Sequence, residues 1–185
     1  MSGSRTLILM RHATAGHQGA STDHDRPLTA EGLREAADAG DWIRSNLPAV
    51  DAVLCSTAVR TRQTLTATCV DAPATFADAL YGGGIDDILE QIAAVPDAAI
   101  SVLVVGHAPG IPATAAELVT IAALARADPA SSEADDPAAA ANPEPESDGL
   151  RHFSAGALAV LTTAGSWAGL AEHGADLTAV RHPGR

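Results

Sequence analysis

Apolar positions along this chain fall into short unbroken runs separated by longer stretches with helical spacing. Leu7-Ile8-Leu9-Met10 does not alternate with polar residues, so Thr6–Met10 reads as a strand buried on both faces, the habit of parallel sheets. Ala52–Cys55 and Ile100–Val105 repeat the pattern, Ala157–Thr162 resumes it late in the chain, and Ala74–Phe76 fits a short edge strand. Between these runs lie four expected helices. The first is capped by Thr29, buries Leu33, Ala36, Ala37, Gly40, Ile43 and Leu47, and stops at Pro48. Ser56 or Thr57 can cap a second that runs to about Val70. A third spans Ile85–Val95 after a flexible Gly82-Gly83-Gly84 turn, and a fourth runs from Pro112 to about Arg126. Trp167–Leu170 and Asp176–Val180 are expected to pair as edge strands, with a frayed tail from Arg181. Strands alternating with helices predict an α/β fold: three layers, a mostly parallel central sheet of about five or six strands, and helices on both faces.

Composition narrows this picture. At 185 residues the chain is expected to form a single domain over residues 1–185. Its 46% hydrophobic share includes only 3% aromatic residues, so Ala, Val, Leu and Ile must build the core, with Trp42 and Trp167 as packing residues. A net charge of −12 argues against nucleic acid and against anionic membrane surfaces. No apolar run approaches the roughly 18 residues of a membrane span, and no apolar segment of signal-peptide type precedes the first strand. Cys55 and Cys69 are expected to be thiols rather than a disulfide. A cytoplasmic monomer is the expectation. Residues 127–149 stand apart, with seven acids, four prolines and no Lys or Arg, and read as an acidic, Ala/Pro-rich flexible insertion. An acidic docking or gating arm is the alternative.

Candidate chemistry gathers at the strand ends. The first strand closes on Arg11-His12, the second leads into Ser56-Thr57-Ala58-Val59-Arg60, and the fourth ends at Gly106-His107. Ligands of open α/β sheets bind beyond the carboxyl ends of the strands. A planar five-donor cation beside an imidazole suits a phosphate. Arg60 falls in the first turn of a helix, where the dipole disfavours a cation, so a bound anion is the better reason for it. Arg62, two residues on, should face elsewhere, solvated or bound to a carboxylate. His152, His173 and His182 share no metal-site spacing.

The ordered series Leu-Ile-Leu-Met-Arg-His, Cys-Ser-Thr-Ala-Val-Arg-Thr-Arg-Gln-Thr and Val-Val-Gly-His-Ala-Pro-Gly-Ile resembles the histidine phosphatase superfamily, phosphoglycerate-mutase-like in fold. Chain length, the Asp25-Arg26-Pro27-Leu28-Thr29 loop and Leu80-Tyr81 resemble its SixA-type phosphohistidine phosphatases. The resemblance implies that His12 is a transiently phosphorylated nucleophile, that Arg11 and Arg60 clamp the phosphoryl oxygens, and that His107 adds a donor, with neither metal nor cofactor. Ala13 stands where much of the superfamily has glycine. Asp86 is the candidate for the glutamate general acid of the larger branches; Asp78 and Asp87 lie in the same region, and helix packing explains all three equally well. Lacking a strong acid, such a site favours a good leaving group, hence phosphohistidine in proteins. Small phosphate esters of sugars or nucleotides, and a weakly catalytic phosphoprotein-binding module, are the competing readings.

Overall fold

In the computed structural model, which describes residues 4–127 and 148–184, the elements alternate as the sequence spacing requires. They are β1 (Arg5–Arg11), α1 (Ala30–Asn46), β2 (Ala52–Ser56), α2 (Val59–Thr68), β3 (Ala74–Ala77), α3 (Ile85–Ala93), β4 (Ser101–Gly106), α4 (Gly110–Ala127), α5 (Asp148–Arg151), β5 (Leu158–Thr163), α6 (Leu170–His173) and β6 (Asp176–Arg181), with a single 3₁₀ turn at Asp78–Leu80. The sheet order is β3-β2-β4-β1-β5-β6. β3, β2, β4 and β1 run parallel, whereas β5 is antiparallel to β1 and β6 to β5. This is the expected three-layer, mostly parallel α/β sheet.

Alternation along β1 divides the core. Leu7 and Leu9 join Val102, Val104, Ile88, Ile92, Ile111 and Leu118 on the face covered by α3 and α4. Ile8 and Met10 join Val53, Val105, Ala39 and Ile43 on the face covered by α1. A strand buried on both sides needs no polar residue until it leaves the sheet, which is why Arg11 and His12 arrive at its end together.

Differences from the sequence reading have local causes. In α1 the inward residues are Gly32, Ala36, Ala39, Gly40 and Ile43, while Leu33 is 47% exposed and Ala37 lies outside. Close approach turns the helix this way: a Cβ on Gly32 would lie 2.1 Å from the Thr14 carbonyl oxygen, and one on Gly40 2.0 Å from that of Thr68. These two glycines let α1 press on the loop after β1 and on α2. Thr29 caps α1 as expected, its hydroxyl accepting from Gly32 N at 3.0 Å.

The N-cap of α2 is Ala58, without a side-chain cap, because the hydroxyls of Ser56 and Thr57 bond to His107 and Asp78. Its last residue is Thr68, with Cys69 left-handed at φ 51°. Arg62 does face outward, but over the Phe76 ring at 4.6 Å rather than on a carboxylate. Trp167 is buried and donates to Ala99 O at 2.8 Å, so its segment turns into α6 and forms no strand. Arg181 closes β6, leaving the tail to begin one residue later.

By length and composition α4 could cross a membrane. Its Ala-rich makeup hides this in the sequence, and Ile111, Ala115, Leu118 and Ala122 are packed into the core instead. Ala127 belongs to α4, and Asp148 and Gly149 to α5. The remainder of the acidic stretch lies outside the described residues.

Candidate active site

Three parallel neighbours deliver their last residues to one edge of the sheet. Arg11 pairs with Gly106, and His12 N donates to Gly106 O at 2.9 Å. Cys55 pairs with Val105, so Ser56 stands level with the end of β4. Because β5 runs the other way, the segment before it returns to the same edge. There Phe153 O accepts from Arg11 Nη1 at 2.8 Å, and Gly156 N donates to His12 O at 3.0 Å. The rings of His12 and His107 lie 5.2 Å apart.

His12 Nδ1 is 2.8 Å from Ala13 O. A carbonyl only accepts, so Nδ1 carries the proton and Nε2 keeps its lone pair. Burial, joined by the charges of Arg60, Arg11 and Arg26, pushes the His12 pKa down to about 4 against the opposing Ala13 bond. The imidazole is neutral at pH 7, with a basic nitrogen ready to attack. The loop that carries it is pinned: Ala13 N donates to Thr64 Oγ1 at 3.1 Å, and Thr14 N and its hydroxyl donate to the Glu35 carboxylate at 2.8 and 2.9 Å.

Arg60 is only 6% exposed, in the first turn of α2. Its Nη1 donates to Asp23 O at 2.6 Å, and its Nη2 to Asp23 Oδ2 at 3.0 Å and to His107 Nδ1 at 3.2 Å. A guanidinium cannot accept, so His107 Nδ1 is the acceptor and the Nε2–H donates to Ser56 Oγ at 2.8 Å. Burial, with Arg60 adding to it, pushes the His107 pKa down to about 3, and the ring is neutral. Nε of Arg60 and Nε of Arg11 are both buried without a hydrogen-bond partner. Burial also pulls the Arg11 pKa below its ordinary value. Two guanidiniums, Arg60 buried and Arg11 half-buried, each with a buried and idle Nε–H, form a site built for oxygen acceptors that come from outside.

Arg11, His12, Arg60 and His107 thus gather at one edge, as their positions in the sequence predict. Asp86 is exposed in the first turn of α3, Asp87 accepts from Gly84 N at 2.9 Å at the N-terminus of that helix, and Asp78 accepts from Thr57. Among the described residues, the carboxylate that reaches the cluster is Asp23. Its Oδ1 accepts from Arg26 at 3.0 Å, and its Oδ2 from the Tyr81 hydroxyl at 3.0 Å. Hydrogen bonds from Arg26 and Tyr81, reinforced by Arg60, hold its pKa down to about 2, so it is ionised. Sequence reasoning passed over Asp23 as one polar residue in a polar loop. Its only signal is its place in the same loop as Arg26. Ser56 was read as a cap, and Tyr81 entered only through the family resemblance.

The family model of the histidine phosphatase superfamily (branch 1) matches residues 7–80. An uncharacterized protein of Mycobacterium tuberculosis is 43% identical over 159 residues, covering 86% of this chain and 90% of its own. A solved structure from Nakamurella multipartitia, provisionally named phosphohistidine phosphatase SixA, is 55% identical. It covers 99% of this chain and 98% of its own, with a TM-score of 0.86. This chain belongs to the histidine phosphatase superfamily. Within it the likeness is to the SixA type, and the protein is a phosphatase of that family. The phosphoglycerate mutase of Plasmodium falciparum, at 17% identity, shares the fold alone, with a TM-score of 0.55 over 98% of this chain and 91% of its own. The part matched by the family model contains Arg11, His12 and Arg60, while His107 lies beyond it.

Proposed function

We propose that this histidine phosphatase removes phosphate from phosphohistidine in proteins, without a metal ion, through a phosphorylated His12. The observation that carries the reading is the unprotonated Nε2 of His12 beside two guanidiniums whose buried Nε–H groups lack acceptors. A phosphoryl group brings the missing oxygens. Arg11 and Arg60 grip them, supplying permanent positive charge where the transition state spreads its negative charge. His12 Nε2 attacks phosphorus, a bond forms between them, and the bond from phosphorus to the leaving nitrogen breaks with its electron pair going to that nitrogen. Water then attacks phosphorus, the bond to His12 Nε2 breaks, and His12 regains its lone pair as inorganic phosphate leaves. With a dianion beside it, His107 takes up a proton at Nδ1 and donates to the phosphoryl oxygens, because the anion's charge offsets the burial and the Arg60 charge that hold it neutral.

The choice of substrate rests on acid chemistry. Asp23, the carboxylate in the cluster, is ionised and cannot protonate a leaving alkoxide at neutral pH. An imidazole protonated on its second nitrogen needs no such help. The SixA name of the 55% identical neighbour supports the same reading.

The test is a side-by-side assay, in chelator, of a phosphohistidine-bearing protein and a panel of aryl, sugar and nucleotide phosphates. The proposal expects kcat/KM for phosphohistidine to exceed that for every ester. An ester used more efficiently would move the substrate assignment to small phosphomonoesters, and no turnover of any substrate would favour a binding module.

A further inference from the structure

We propose that Asp23 is a positioning residue that sets the guanidinium of Arg60 for phosphoryl transfer, an inference that rests on the reading of this edge as the phosphatase site. A guanidinium has two edges that can fork onto acceptors. Asp23 takes the end of Arg60 twice over, Nη1 through its carbonyl at 2.6 Å and Nη2 through Oδ2 at 3.0 Å. What remains is the side edge: the second Nη2 proton, which goes to His107 at 3.2 Å, and the Nε–H, which is buried with no acceptor. The edge beside His107 is therefore the one open to substrate: Nε–H donates to one phosphoryl oxygen, and the second Nη2 proton donates to another once His107 Nδ1 releases it, while Asp23 stays in place.

Asp23 is itself held from two further directions, by Arg26 on Oδ1 and by the Tyr81 hydroxyl on Oδ2. Tyr81 lies edge-on to His107 at 5.4 Å and under the Arg60 guanidinium at 5.7 Å. The brace thus ties the loop after β1 to α2 and to the turn before α3. The loop that carries Asp23 is also the one that Arg26 anchors, donating from Nε to Gly16 O at 3.1 Å. Asp23 cannot fix the charge of Arg60, which is permanent. It fixes direction, and it offsets one positive charge beside an anion site.

Its removal has an unusual expected signature. Without the brace the guanidinium swings, so the transition state loses an aimed donor; without the carboxylate the site is more positive, so a ground-state anion binds at least as well. For Asp23→Ala, with an aryl phosphate and rates counted per active site from the amplitude of trapped phosphoenzyme, kcat should fall ten- to a hundred-fold while KM stays level or drops. Asp23→Asn keeps the backbone acceptor and one side-chain acceptor, and should lie between this variant and wild type. Tyr81→Phe removes only the hydroxyl on Oδ2 and should lose less than either. The two variants keep the test decisive if Asp23→Ala does not fold. A kcat per site within twofold of wild type in Asp23→Ala and Asp23→Asn overturns the brace. A rise in kcat with a lower KM overturns it too, and makes Asp23 a competitor that substrate must displace. Lack of turnover or trapping in the wild type is the distinct failure of the phosphatase reading itself.

Discussion

Strand β1 carries an arginine at each end, and the two are used in opposite ways. Arg5, at the start, donates from Nε to Gly165 O at 2.8 Å, from Nη1 to Asp97 O and Ala99 O at 2.8 and 2.9 Å, and from Nη2 to Asp97 Oδ1 at 3.1 Å. It also stacks on Trp167 at 5.5 Å. Arg11, six residues later, spends Nη1 on Phe153 O and leaves a buried Nε with nothing to bond. Asp51 echoes Arg5 at that end of the sheet, accepting from Ile100 N and Ser101 N at 2.8 and 2.9 Å. One arginine has its donors saturated by its own chain and serves stability. The other withholds donors from the chain, at a cost in stability, and keeps them for a ligand.

The comparison breaks if arginines at the two edges can be exchanged in effect. Arg60→Ala and Arg11→Ala should each remove about 2–4 kcal/mol of transition-state stabilisation, the scale of losing an aimed donor, with Tm steady. Steady-state kinetics and thermal melts on the same samples decide, and near-normal turnover of Arg60→Ala would take that residue out of the site. Arg5→Ala should do the reverse: unfolding free energy lower by about 1–3 kcal/mol, from several lost hydrogen bonds and the stacking, and kcat/KM unchanged. Denaturant titration beside the assay measures both, and a stable but inactive Arg5→Ala would erase the contrast.

A smaller effect is written in pH. His12 has its pKa lowered to about 4 and His107 to about 3, against about 6.5 for an unfolded histidine. The unfolded chain therefore binds more protons on acidification. The stability held by each neutral histidine is complete above about pH 6.5 and is lost as pH falls from there toward its folded value, by up to about 1.4 kcal/mol per unit. His12→Asn should flatten the stability profile between pH 6.5 and 4 relative to wild type. Parallel profiles would mean that His12 is not held neutral by its surroundings.

The functional edge was more legible in the sequence than the structural one. Arg11, His12 and His107 follow directly on buried runs, and Arg60 contradicts the dipole of its own helix, so each carries a local signal. Gly32 and Gly40 carry no such signal, because what they touch, Thr14 O and Thr68 O, is set only by tertiary packing. The same holds for Asp23. Its partners Arg60 and Tyr81 lie 37 and 58 residues away, and no pattern within the loop announces them. Trp167 misled in the opposite sense: its Nε1–H needed the Ala99 carbonyl, and the segment follows that bond rather than a strand.

The central claim is that His12 Nε2 accepts the phosphoryl group. Brief incubation with a labelled phosphoryl donor, quenching in base and digestion should place one phosphoryl group on His12, stable to alkali and lost in acid, as a bond between nitrogen and phosphorus requires. His12→Ala should remain folded and carry no label. Label that persists in His12→Ala, or that survives acid as an ester does, would contradict the account.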